Sequence, residues 1–249
     1  MTNSSIVSKA LLAGICAVMV GVAARPAEAV VAIRLQIDDT STGGLDFDSG
    51  IVAGTAVGCT GAVCTAGGFT FQSIVGNASG TSNGPGTATV AQIDLQAAHV
   101  SHVSGTGNLI ITVTGFDFAL PVGLSMDLRD TGSATTALVS SFTDASQGWA
   151  DPNNAGATLN GTAIVNLAGS GSDSFSATSV ANNWLRTQPL FSLTTRAIVS
   201  LGIGAGDIVS LGQSTQATAN AVPEPASLLL LGSGLLVAGR KLRRKSSKA

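Results

Sequence analysis

The sequence predicts an all-β protein: an antiparallel β-sandwich or jelly-roll-like passenger, with an N-terminal signal helix before it and a single C-terminal transmembrane helix after it. Three observations carry this expectation. Short β-type runs recur between turns rich in Gly, Asn, Ser and Asp, the spacing of sandwiches and jelly rolls. No helical period runs between the leader and Pro223. An uncharged apolar stretch lies near each end of the chain, beside basic residues.

Charge divides the chain in the same way. Only 10% of the 249 residues are charged, against roughly a quarter in ordinary domains. The net charge of −2 conceals three parts: +1 over residues 1–29, −8 over 30–222 and +5 over 223–249. The middle has twelve Asp, no Glu, no Lys and four Arg: Arg34, Arg129, Arg186 and Arg196. That excludes a basic nucleic-acid-binding body, because phosphate binding needs clustered Lys and Arg. Coiled coils and helical bundles are excluded by the scarcity of Glu and Lys.

Residues 1–29 read as a secretory signal peptide. Lys9 supplies the positive end, and Ala10–Ala24 is apolar, uncharged and short for a membrane span. Ala27 and Ala29 flank Glu28 in the small-x-small pattern that the pocket of a signal peptidase admits, so cleavage is expected after Ala29.

The passenger spans residues 30–221. Candidate strands are Val31–Ile37, Gly68–Val75, Thr87–Leu95, His99–Ser104, Leu109–Thr114, Ala137–Thr143, Ala163–Leu167, Ser174–Val180, Leu190–Leu201 and Asp207–Leu211. In the first, Ile33, Leu35 and Ile37 fall on one face and Arg34 and Gln36 on the other. Val90, Ile93 and Leu95 do not share a face, which predicts a bulge in that run. Turns are expected at Ser82–Gly86 and Asp151–Asn154. Few aromatics are available, so the core must come mainly from Val, Ile, Leu and Ala.

Cys59 and Cys64 are the two cysteines of the mature chain. In an oxidising compartment two cysteines this close most simply form a disulfide. His99 and His102 are expected at the surface, on opposite faces of a strand. Asp38-Asp39, Asp46-x-Asp48-x-Gly50 and Asp151-x-Asn153-Asn154-x-Gly156 offer hard oxygen ligands for calcium, but Asp and Asn are also ordinary turn-formers and none of the three is a full EF-hand loop. No Gly-x-Ser-x-Gly elbow is present, and nothing shows that the pairs Asp46/Asp48 and Asp127/Asp130 face a cleft. The Thr-x-Thr steps at Thr87–Thr89 and Thr112–Thr114 lack the fixed period that ice binding would need. The chain is therefore read as a non-enzyme, with no catalytic, cofactor-binding or metal-ligating residue assigned and no cofactor expected.

The last segment, 222–249, is the most informative. Pro223 and Pro225 flank Glu224, remove backbone donors and hold Val222–Pro225 extended, the form a peptide-cleaving active site requires. Residues 226–239 are uncharged. As a helix they span about 21 Å at ~1.5 Å per residue, short of the ~30 Å hydrocarbon core. Snorkelling or local thinning can close that gap. Arg240, Lys241, Arg243, Arg244 and Lys245, within the basic tail 240–249, then stop transfer and stay cytoplasmic.

This order of extended motif, apolar helix and basic cluster closely resembles the PEP-CTERM sorting signal of Gram-negative bacteria. The matching residues are Val222-Pro223-Glu224-Pro225-Ala226-Ser227, the Leu run, Gly232–Leu235 and the Arg cluster. Such a tail is also known as an ice-binding protein C-terminal domain, a label of the sorting segment alone. The resemblance implies recognition by an exosortase, a transpeptidase-like membrane enzyme, with Val222, Pro223, Glu224 and Pro225 as the recognition residues. It implies export across the inner membrane, transient residence there, and a cell-surface or extracellular end point. It also implies a structural or exopolysaccharide- and biofilm-associated role, with exopolysaccharide as a candidate partner. The alternative is a surface module that binds carbohydrate or calcium. The passenger itself resembles a module common among such proteins, through Ile37-Asp38-Asp39, Phe69–Val75, Ile93-Asp94-Leu95, Leu109–Phe118 and Phe191-Ser192-Leu193.

Overall fold

The computed structural model describes residues 32–60, 66–79, 90–121, 125–203, 208–220 and 233. The chain divides into two units, Met1–Ala219 and Asn220–Ala249. The described residues of the first are mostly strand; the second contributes only Asn220 and Ser233. Among the described residues no helix is long and apolar enough to cross a membrane. The predicted signal helix and, apart from Ser233, the predicted transmembrane helix lie outside the described residues.

In chain order the strands are β1 (Ala32–Asp39), β2 (Phe47–Asp48), β3 (Val52–Ala53), β4 (Ala56–Thr60), β5 (Phe69–Thr70), β6 (Ser73–Ser79), β7 (Val90–His102) and β8 (Leu109–Phe118). They continue with β9 (Ser125–Ala137), β10 (Val139–Asp151), β11 (Asn160–Gly161), β12 (Val165–Gly171), β13 (Ser174–Leu185), β14 (Phe191–Leu201) and β15 (Ile208–Ala219). One sheet runs β11-β10-β14-β8-β1-β2, with β12 on β10 and β3 on β1; the other runs β13-β9-β15-β7-β6-β4, with β5 on β7. All pairings are antiparallel.

The two sheets pack face to face, each burying one side. Ile33, Leu35 and Ile37 are fully buried while Arg34 and Gln36 stay partly exposed, the alternation that β1 was expected to have. Opposite strands supply Ile111, Val113, Val199 and Leu193 from one sheet and Ile93, Leu95, Leu128 and Ala217 from the other. The side chains are short, so the sheets approach closely. A Cβ added at Gly148 of β10 would lie 2.4 Å from Thr215 Oγ1 of β15, which is why that strand carries Gly there.

The structure departs from the sequence expectations in several places, and the expected strand Gly68–Val75 is split into β5 and β6. Val90–Leu95 and His99–His102, from two runs expected to be separate strands, belong to one strand, β7. Its bulge is not at Val90–Leu95, where Ala91, Ile93 and Leu95 share the buried face, but opposite Ser210, where His99 has φ 54°. The expected strand Ala137–Thr143 is strand except at Leu138, where the chain turns from β9, ending at Ala137, into β10, which carries Val139–Thr143; Leu138 has φ 56° and is 78% exposed. Strand β9 was missed because its inward positions include Asp130 and Gly132 and so present no apolar alternation.

Candidate functional site

The acidic turns organise backbone. Asp39 ends β1 fully buried. Its Oδ1 accepts the Ser41 amide at 2.9 Å and the Ser41 hydroxyl at 2.8 Å, and its Oδ2 accepts the Gly68 amide at 2.8 Å. Burial pushes this carboxyl up, but those donors and the charge of His102 outweigh it and hold it below the ordinary carboxylate value. Asp46 accepts the Asp39 amide at 2.6 Å. Asp48 takes a forked contact from Arg34 and the Gly50 amide, and the Arg34 hydrogen bond draws its pKa down to about 2. Asp151, 1% exposed, accepts the amides of Asn153, Ala155 and Ala157 at 2.8, 2.8 and 3.1 Å. Asn154 and Asp117 bond reciprocally, with Asp117 N–H to Asn154 Oδ1 at 2.8 Å and Asn154 Nδ2 to Asp117 Oδ1 at 2.7 Å. The oxygens offered to calcium in the sequence are thus largely spent on turn amides.

The histidines separate. His99 is exposed at the bulge. His102 corrects the surface expectation: it is 3% exposed, stacked on Phe69 at 4.2 Å between centroids, with Nδ1 at 3.0 Å from the Leu201 carbonyl. The extra residue of the bulge restores the inward phase for Val100 and His102. Sequence reading missed Asp39 as the hub of this end of the molecule; the Asp-x-Ser spacing to Ser41 was the one available sign.

Neither tryptophan forms an open stacking platform. Trp184 is 5% exposed and meets Phe191 edge-on at 5.5 Å. Trp149, on the outer side of its sheet, is 7% exposed and covered by the Arg196 guanidinium at 4.7 Å. On the outer face of the other sheet, Val75, Gln96, Ser133, Thr135, Ser210 and Gly212 line a shallow trough of about 350 Å³.

Cys59 is 6% exposed on β4, opposite Ile74 of β6; Cys64 lies outside the described residues. So do the cleavage residues Ala27 and Ala29, the motif Val222, Pro223, Glu224 and Pro225, and the basic residues Arg240, Lys241, Arg243, Arg244 and Lys245.

Fold and tail together define a class: an all-β passenger followed by a C-terminal protein-sorting segment. Residues 221–245 match the family described as the PEP-CTERM protein-sorting motif. The chain is a PEP-CTERM sorting domain-containing protein. That motif marks a protein processed by an exosortase and sorted to the surface of a Gram-negative cell. A search of the curated proteins finds no match. Among solved structures, the chain is similar to the CBM22-2 xylan-binding domain from Paenibacillus barcinonensis Xyn10C, at 12% identity over 58% of this chain and 91% of that one, with a TM-score of 0.30. It is also similar to TmCBM61 in complex with beta-1,4-galactotriose, at 10% identity over 57% of this chain and 86% of that one, with a TM-score of 0.26. The structure of infectious bursal disease virus Gx strain is similar at 14% identity over 82% of this chain and 61% of that one, with a TM-score of 0.36.

Proposed function

We propose that this chain is a non-enzymatic structural protein of the cell surface or extracellular matrix, associated with exopolysaccharide and biofilm. The sorting motif at 221–245 is the observation that carries the reading. Signal peptidase removes residues 1–29 after Ala29. The helix 226–239 holds the tail in the inner membrane while Arg240, Lys241, Arg243, Arg244 and Lys245 keep its end cytoplasmic. An exosortase then acts at Val222–Pro225 and frees the passenger from its tail. Cys59 and Cys64 pair in the oxidising compartment.

A structural role is favoured over the carbohydrate- or calcium-binding alternative by two features. Sugar-binding faces use exposed aromatic rings, and both Trp149 and Trp184 are covered. The carboxylates of Asp39 and Asp151 are engaged by backbone amides. The test is mass spectrometry of the mature C-terminus, from cells with and without the exosortase. Loss of the segment after the motif only when the exosortase is present is expected. An intact tail in both, or a trimmed tail in both, overturns the reading.

A further inference from the structure

Asp130 of β9 and Asp144 of β10 point into the sandwich from opposite sheets, 0% and 1% exposed. They sit in a polar patch that bridges the sheets. Ser146 Oγ of β10 donates to Asp130 Oδ2 at 3.5 Å, and Thr215 Oγ1 of β15 donates to Asp130 Oδ1 at 2.8 Å. Gln213 Nε2 of β15 donates to Asp144 Oδ2 at 3.3 Å and Oδ1 at 3.5 Å, and Thr195 Oγ1 of β14 donates to Gln213 Oε1 at 3.3 Å. Three of these four donors reach across the gap between the sheets, and those contacts are long for hydrogen bonds.

Every donor in the patch is neutral, and the cationic groups of the described residues all lie elsewhere. Arg34 holds Asp48, Arg186 donates to the Ala119 and Pro121 carbonyls, and Arg196 covers Trp149. Arg129 precedes Asp130 and is exposed on the opposite face. His99 is exposed, and His102 is held at Leu201. The passenger has no Lys. A carboxylate buried without a counter-charge is costly, and taking up a proton is the least expensive relief. Burial pushes Asp130 to about 6 against the pull of the Thr215 and Ser146 hydrogen bonds. It pushes Asp144 to about 7 against Gln213, with repulsion from Asp130 adding to the rise.

We propose that the buried polar patch around Asp130 and Asp144 forms a pH-sensitive latch between the two sheets that loosens as the pair ionises. This inference is independent of the sorting reading. Both groups bind their protons more tightly folded than unfolded. Their contribution is therefore complete below the ordinary value of 3.8 and is lost as pH rises through about 6 and about 7.

The test is thermal and denaturant melting of the full chain in mild non-ionic detergent, from about pH 4 to about pH 8. The folding constant is expected to fall on the order of a hundredfold or more over that range. Asp144→Asn and Asp130→Asn keep the volume without the charge and are expected to flatten the fall. Carboxyl-carbon NMR titration of the unsubstituted protein is the second readout, independent of whether the variants fold. Two carboxyls with midpoints well above the ordinary range support the latch. Flat or rising stability, variants with an undiminished fall, or no carboxyl titrating above about pH 5 overturns it. So does a calcium-induced rise in stability that both Asn variants abolish, because the pair would then be a cation site.

Discussion

The Gly68 amide donates to Asp39 Oδ2 at 2.8 Å, across 29 residues of chain. This bond ties the end of β1 to the segment entering β5, and the same carboxylate also holds Ser41. A buried acceptor with three donors is worth more than any one of its bonds, because removing it strands them all. Asp39→Ala is therefore expected to lower stability by about 3 kcal/mol, measured by denaturant unfolding. The pH sign is the reverse of the core pair: Asp39 is held below 3.8, so its contribution is present above that value and lost as pH falls through its folded value. An unfolding midpoint unchanged in Asp39→Ala would remove it as the hub.

Glycine at 68 follows from the same crossing. A Cβ there would lie 1.5 Å from the Ser104 carbonyl oxygen, which is backbone and cannot swing away. Gly171 is the control, with φ +82° and nothing within 4 Å of its Cβ position. Gly171→Ala is expected to cost about 1 kcal/mol of backbone strain. Gly68→Ala adds a collision and is expected to cost at least about 3 kcal/mol. Equal effects in melting experiments would refute the close approach.

The Arg34–Asp48 pair holds the Asp48 carboxyl at about 2, yet both side chains are about a third exposed, at 35% and 31%. Solvent screening then dominates. Asp48→Asn is expected to change stability by less than about 1 kcal/mol, and by less again in high salt. What the pair contributes disappears as pH falls from 3.8 through about 2. A larger loss that persists in high salt would show that Asp48 acts through the Gly50 turn instead.

Legibility varied with local pattern. β1 was readable because Ile33, Leu35 and Ile37 alternate with Arg34 and Gln36, and burial follows that alternation. β9 was not, since Asp130 and Gly132 occupy inward positions that only the facing Ser146 and the neighbouring Thr215 explain. The burial of His102 depends on a bulge whose extra residue is visible only against Ser210 of β15. Asp39 looked like a calcium ligand because a turn-forming carboxylate and a ligating one are the same residue in sequence; only the Gly68 and Ser41 amides tell them apart. The sorting tail needed no tertiary partner, so its order of parts was readable directly.

Cys59 is 6% exposed, and a thiol paired there is shielded from reagents. Native passenger is expected to take up no thiol label until it is denatured and reduced. Its loop to Cys64 is short, so reduction is expected to cost on the order of 2 kcal/mol. Labelling of Cys59 in denatured but unreduced protein would eliminate the pairing.

The sorting segment permits the most direct intervention. Pro223 and Pro225 flank Glu224 and are expected to hold its backbone extended, and Glu224 is the single acid in a segment whose other charges are basic. If an exosortase reads that geometry and charge, Glu224→Ala and Pro223→Ala are expected to leave the chain exported but uncut. Both variants should then remain in the membrane fraction with the passenger outside, at several-fold lower release. Replacing Arg240, Lys241, Arg243, Arg244 and Lys245 by Gln acts on a different step: stop-transfer weakens, and the full-length chain is expected to pass beyond the membrane unprocessed. The two defects separate by fractionation and tail mass, because the first accumulates at the membrane and the second does not. Release and processing unaltered by Glu224→Ala and by Pro223→Ala would show that the motif is not what the exosortase recognises.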